Sequence, residues 1–205
     1  MSKIVLCIDN GNSYLEDTEE YLSLHDCKVY TLYKEERNIG TLLEEIEQKE
    51  GRIDILLLGI DEQIPQDGAI GEKHDCEMIL EVLSRQIGRM QDAIDAALPL
   101  LRKGDLKRIG MITRKDSSIS HCKADRNYGQ HMTWAGLNMI GKVYFNLLRP
   151  EGFTFRWYCA EENSGGMSAG EYFLSGLCYD AGEPYIHSDE NRLVMRDAHL
   201  REVAW

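Results

Sequence analysis

The chain has 205 residues, 43% of them hydrophobic and 28% charged, a composition of globular rather than disordered proteins. With 23 Lys and Arg against 35 Asp and Glu, its net charge of −12 argues against a nucleic-acid or anionic-membrane partner, since either needs a basic surface. No apolar run approaches the roughly 20 residues of a transmembrane helix, no linker divides the chain, and "MSKIVLCIDNG" enters a strand-like run without a signal-peptide pattern. The expectation is a single cytoplasmic domain over 1–205.

Strand-like and helix-like segments alternate from the start. "KIVLCID" is a short, nearly continuous apolar run, the pattern of a parallel strand covered on both faces. "SYLEDTEEYLSLHD" carries a rough helical stripe of Tyr14, Leu15, Tyr21, Leu22 and Leu24, and "CKVYTLY" is a second strand. "NIGTLLEEIEQKEG" reads as a helix with Leu42, Leu43 and Ile46 on one face, ended by Gly51. "IDILLLGI" is the third strand. A helix from about 75 to 103 follows, with a wide apolar stripe. "LKRIGMIT" is the fourth strand, 127–149 a second long helix, and "GFTFRWYCA" the fifth strand. "SAGEYFLSGLCYD" and "NRLVMRD" read as a helix and a short edge strand.

Strand–helix–strand repeats with right-handed crossovers make a doubly wound α/β domain, a mostly parallel Rossmann-like sheet with helices on both faces. Ligands in such folds sit beyond the carboxyl ends of the strands, which points to the loops after Ile8, Leu58, Thr113 and Tyr158.

The six cysteines are expected as thiols in a reducing compartment, and none forms a C-x-x-C pair. Cys7 and Cys159 lie in apolar strands and read as buried core thiols. The triplet "HDC" occurs at 25–27 and 74–76, but adjacent residues seldom chelate one ion together, so the two copies read as a surface loop and a helix start.

The order and spacing of segments resemble the short-chain dehydrogenase/reductase family over nearly the whole chain. The clearest matches are "DILLLGI" at 54–60, "ALPLLRKGDLKRIGMIT" at 97–113 and "AGLNMIGKVYFNLLRPEGFTFR" at 135–156. The resemblance implies a Rossmann-like fold, NAD or NADP on a Gly-rich turn, and an Asn, Ser, Tyr, Lys tetrad for hydride and proton transfer. It also implies a dimer or tetramer built by pairing the two long helices.

The motifs depart from that pattern. In "IDNGNSYLE", Asp9, Ser13 and Leu15 stand where the turn should have glycines, and only Gly11 remains. "LGID" at 58–61 replaces the family's Asn-Asn-Ala-Gly turn, the tetrad's helical Asn falls near Arg85, and Cys159 and Ala160 replace the Pro-Gly after the fifth strand. Aligning "AGLNM" with the family's central helix puts the Tyr position at Gln130 and the Lys position at Trp134; the Ser position survives at Ser117 or Ser118. The proton step needs a phenol whose pKa is pulled from about 10 toward neutrality by a cation. A Gln amide does not titrate there, and Trp supplies no cation.

The one Y-x-x-x-K string, Tyr30 to Lys34, lies on a strand, where four residues span roughly 13 Å against about 6 Å on a helix. Tyr128, His131 and Lys123 lie near the lost tetrad, although His131 should point about 100° away from Gln130 around the helix. The Gly-rich "NSGGMSAG" at 163–170 reads as a lid or plain loop.

Three functions remain open. The first is a pseudoenzyme of this family without cofactor, a structural, regulatory or binding subunit that pairs as a homodimer or homotetramer through helices 75–103 and 127–149, or with an active paralogue. The second is an NAD(P)-dependent oxidoreductase with a rearranged site using Ser117, Tyr128 and Lys123. The third is a non-redox small-molecule pocket with Trp134 and Tyr158 as stacking surfaces.

Overall fold

The computed structural model describes residues 2–9, 11–33, 38–60, 75–161, 165–175 and 192–205. In chain order the elements are β1 (Lys3–Ile8), α1 (Ser13–Leu24), β2 (Cys27–Leu32), α2 (Ile39–Lys49), β3 (Ile55–Gly59), α3 (Cys76–Leu101), β4 (Arg108–Arg114), α4 (Tyr128–Leu148), β5 (Thr154–Ala160), α5 (Ala169–Leu174), β6 (Met195–Arg196) and β7 (Glu202–Val203). They form one sheet in the order β2-β1-β3-β4-β5-β6-β7; every neighbouring pair is parallel except the last, β6 with β7. The doubly wound α/β fold expected from the sequence is present.

The period-2 geometry of a strand sorts its side chains to two faces. Ile4, Leu6 and Ile8 of β1 join the core beneath α2, α3 and α4, while Val5 and Cys7 join the one beneath α1 and α5. β5 divides in the same way, Phe155, Trp157 and Cys159 to the first core and Tyr158 and Ala160 to the second. Cys7 and Cys159 are buried, as expected.

Asparagine, aspartate and serine side chains start most of the helices. Asn38 accepts from the Gly40 amide, Asp75 from that of Met78 and Ser168 from that of Glu171. The stripe expected on α1 needs one correction: Leu24 is 75% exposed, and Thr18 takes a buried place with Leu15 and Leu22. Gly141 lets α4 approach β5, since a Cβ there would lie 2.0 Å from the Trp157 indole.

Two features lay outside the sequence reading. The short terminal strand β7 turns back antiparallel on β6. Three arginines sit buried in strands, and two of them, Arg108 on β4 and Arg156 on β5, donate to carbonyls at the end of α5: Arg108 to Phe173, and Arg156 to Tyr172 and Ser175. Cations there satisfy carbonyls that a helix leaves unpaired. No described helix is long and apolar enough to cross a membrane.

Candidate functional site

β1 lies between β2 and β3, so the chain reverses its direction of travel across the sheet at the β1–β3 boundary. The crevice for ligands in doubly wound folds opens at the carboxyl ends of two such strands. Here the side chain of Asn12 bridges the ends of β1 and β3. Asn12 is 3% exposed, donates from Nδ2 to the Ile60 carbonyl at 3.1 Å, and accepts from the Tyr14 amide at 3.1 Å as the cap of α1. A Cβ at Gly59 would stand 2.8 Å from that of Asn12.

Two backbone amides of the turn are also engaged. Asp9 Oδ1 accepts from the Gly11 amide at 2.7 Å and the Asn12 amide at 3.1 Å, and the Leu15 amide donates to the Asn12 carbonyl. The chain's own carboxylate thus takes a place where such turns receive an anion. Ser13 is exposed and Leu15 is buried under α1.

At the turn itself, a cleft of about 410 Å³ is lined by Asp9, Gly11, Asn12, Ser13, Glu16, Glu19 and Tyr33. Burial pushes the Glu19 carboxyl above its ordinary range; a hydrogen bond from Thr31 pulls it back, and the Asp9 and Glu16 charges raise it further.

At the far end of the crevice, a short 3-10 turn (Lys115–Ser117) follows β4 and leads toward α4. Ser117 is 3% exposed; its hydroxyl donates to the Arg114 carbonyl at 2.6 Å and meets Thr113 Oγ1 at 2.8 Å and Asn138 Nδ2 at 2.9 Å. One donor and two acceptor sites exhaust a hydroxyl. Asn138 extends the network by accepting from Trp157 Nε1 at 3.1 Å. Ser118, the other candidate, donates to the Ala204 carbonyl and accepts from the His121 amide at 3.2 Å.

On α4, Gln130 is half-buried, whereas Trp134 is 4% exposed and belongs to the core. His131 meets the Trp134 ring edge-on at 5.6 Å, and its Nδ1 lies 3.2 Å from the Asp116 carbonyl oxygen. Lys123 is exposed and Tyr128 half-buried. Arg85 is exposed on α3 and lines, with Ser84, Arg89 and Asp92, a cleft of about 490 Å³ that opens at the carboxyl ends of β1 and β2, where Ile8 and Leu32 also line it.

Trp134 and Tyr158 do not serve as the stacking surfaces anticipated for them. Tyr158 is 6% exposed, packs beside Tyr172 and Phe173, and donates to the Met167 carbonyl at 2.8 Å. Burial pushes its phenol up to about 12. Cys159 is buried too, and burial likewise pushes its thiol up to about 12.

In the described part of the 163–170 loop, Met167 donates its amide to the Ala198 carbonyl at 2.8 Å, tying the loop to the β6–β7 turn. His74 and Asp61 lie outside the described residues, as does Lys34, the partner of Tyr30 in the Y-x-x-x-K string. Tyr30 itself is on β2 and donates to Glu50 at 2.8 Å. Among the described residues, no group of three His, Cys, Asp or Glu side chains is arranged to hold a metal ion.

No known family model matches the sequence, and no curated protein sequence matches it. Solved structures match it by shape. A Burkholderia multivorans protein assigned as a short-chain alcohol dehydrogenase aligns with a TM-score of 0.67 at 14% identity, covering 100% of both chains. A short-chain dehydrogenase from Streptomyces avermitilis gives 0.63 at 13% identity, over 78% of this chain and 65% of that one. A 3-ketoacyl-(acyl-carrier-protein) reductase from Brucella melitensis, solved with NADH, gives 0.62 at 13% identity over 77% of this chain and 74% of that one.

The chain has the short-chain dehydrogenase/reductase fold.

Among the described residues, the turn after β1 does not fit the pyrophosphate of the dinucleotide that this fold implies. Asn12 bridges the ends of β1 and β3, and Asp9 holds the amides of Gly11 and Asn12. Two like unit charges 5 Å apart repel by about 3 kcal/mol at an effective dielectric of about 20, so Asp9, Glu16 and Glu19 also disfavour a pyrophosphate. Asp9 and Asn12 were missed as occupants of the turn by sequence reasoning, although a run of Asp, Asn, Gly and Ser is a turn signal in which side chains bond nearby backbone.

Proposed function

We propose that this chain is a pseudoenzyme of the short-chain dehydrogenase/reductase type: a structural, regulatory or binding subunit that neither holds NAD or NADP nor transfers hydride. The observation that carries this reading is the self-occupied turn after β1, with Asp9 on the turn amides and Asn12 bonded across to Ile60. The α4 positions support it. Gln130 offers no titrating group, Trp134 is core, and the Ser117 hydroxyl is consumed by Thr113, Arg114 and Asn138.

The two long helices supply the pairing surface of such a subunit. Leu80 on α3 and Met132, Met139, Val143 and Leu147 on α4 are exposed apolar residues, and those of α4 recur at helical spacing along one side. A homodimer or homotetramer formed here, or a mixed assembly with an active paralogue, would cover them. Neither nucleic acid nor a membrane belongs to this reading, in keeping with the net charge of −12.

One observation favours a second reading, an NAD(P)-dependent oxidoreductase with a rearranged site: a neighbour of the same fold was solved with NADH. Ser117, Tyr128 and Lys123 would then carry the chemistry.

Restoring the missing pair separates the two. Gln130→Tyr with Trp134→Lys, and Gln130→Tyr alone in case the buried lysine prevents folding, should show no NADH- or NADPH-dependent reduction of carbonyl substrates, because Asp9 still holds the turn amides. Turnover by either variant, or by the wild-type chain, overturns the proposal.

A further inference from the structure

Beyond the degenerate redox site lies a second juxtaposition that the proposed function does not use. Cys122, in the loop between β4 and α4, places its Sγ 3.7 Å from Nδ1 of His131, on the first turn of α4. Both residues are half-buried, in contrast to Cys7 and Cys159 in the core. Both are also held in place. The Cys122 amide donates to the Ser118 carbonyl at 2.9 Å, and Ser118 is itself bonded to Ala204. The His131 amide donates to the Asn127 carbonyl at 3.2 Å, and its ring abuts the buried Trp134.

The same Nδ1 lies 3.2 Å from the Asp116 carbonyl oxygen, which can only accept, so the proton belongs on Nδ1. That proton faces both the carbonyl and the sulfur. The sulfur is therefore an acceptor, and its anionic form receives a hydrogen bond from Nδ1–H. A thiolate, not a thiol, is the sulfur nucleophile.

We propose that Cys122, paired with His131, is a reactive thiol that undergoes exchange with small disulfides. In the reaction the Cys122 thiolate attacks one sulfur of the small disulfide. A bond forms between that sulfur and Sγ as the reagent's sulfur–sulfur bond breaks, and the departing thiolate takes up a proton. Cys122 is oxidised to a mixed disulfide and the released half of the reagent is reduced, so no other oxidant is needed. The site is independent of whether the chain binds a dinucleotide.

The test treats the intact chain with 2,2′-dipyridyl disulfide at neutral pH and locates the adducts by peptide mass mapping over time. Exposed Cys76 serves as the internal reference. Cys122 should be labelled first. His131→Asn should slow its labelling about threefold, because the attacking sulfur loses the hydrogen bond from Nδ1. Labelling of Cys76 should not change. In the unmodified wild type, thiolate ultraviolet absorbance should exceed that of Cys122→Ser, a readout that needs no His131 variant to fold. Slower labelling of Cys122 than of Cys76, an unaltered rate in folded His131→Asn, or equal absorbance of wild type and Cys122→Ser overturns the proposal.

Discussion

The sheet interior and the loops at the strands' carboxyl ends use their residues in opposite ways. Inside, β5 and α4 interlock through size: Gly141 gives Trp157 room, and Phe155 packs against Phe145 and Trp157. At the strand ends, polar groups that could meet a ligand bond one another instead, Asp9 to turn amides, Asn12 to Ile60 and Ser117 to Asn138. A fold's shape and its chemistry therefore rest on separate residues, and the chemical groups can be replaced while the shape remains.

Substitutions should grade accordingly. Trp157→Ala strikes the interior and removes an indole that is fully buried, so it should destabilise by about 3–5 kcal/mol in chemical denaturation. Asn138→Ala strikes the junction between the two regions, leaving the Trp157 N–H and part of Ser117 without their partner; the expected loss is about 1–3 kcal/mol. If Asn138→Ala were as damaging as Trp157→Ala, the polar junction would be as structural as the core and the contrast would fail.

Glu19→Gln acts at the acidic cleft and should act in reverse. Burial raises the Glu19 carboxyl in the folded chain, so its folded pKa lies above the unfolded one and its charge is a penalty at neutral pH. The variant should gain less than about 1 kcal/mol at pH 7, since the group is only partly buried and solvent screens it. The gain should vanish as the pH falls below about 4.3, the ordinary glutamate value, where the unfolded carboxyl is protonated as well. A gain that persists in acid would assign the effect to something other than charge.

Much of the interior was legible in the sequence. The apolar runs at 4–8, 55–58 and 153–160 could only be buried strands, and the stripes of α2 and α3 marked their inner faces. That Gln130 and Trp134 sit four residues apart on α4 was legible too, because helical spacing ties the two positions to one face. How the strand-end loops close on one another was not. Whether Asn12 reaches Ile60, or Cys122 meets His131, depends on how separate loops converge, and no periodicity encodes that. The burial of Arg108 and Arg156 in strands was hidden for the same reason: their carbonyl partners lie 65 and 16 residues away along the chain.

The claim that the chain's own side chains occupy the turn where this fold receives a coenzyme is tested most directly by equilibrium titration of the purified protein with NADH and with NADPH, followed by coenzyme fluorescence and thermal unfolding. The account predicts no saturable signal and no shift in Tm up to about 1 mM coenzyme, whereas a ligand at 100 times its Kd stabilises the folded state by about 2.7 kcal/mol. Saturable binding of either coenzyme in the micromolar range, with a matching rise in Tm, would contradict it.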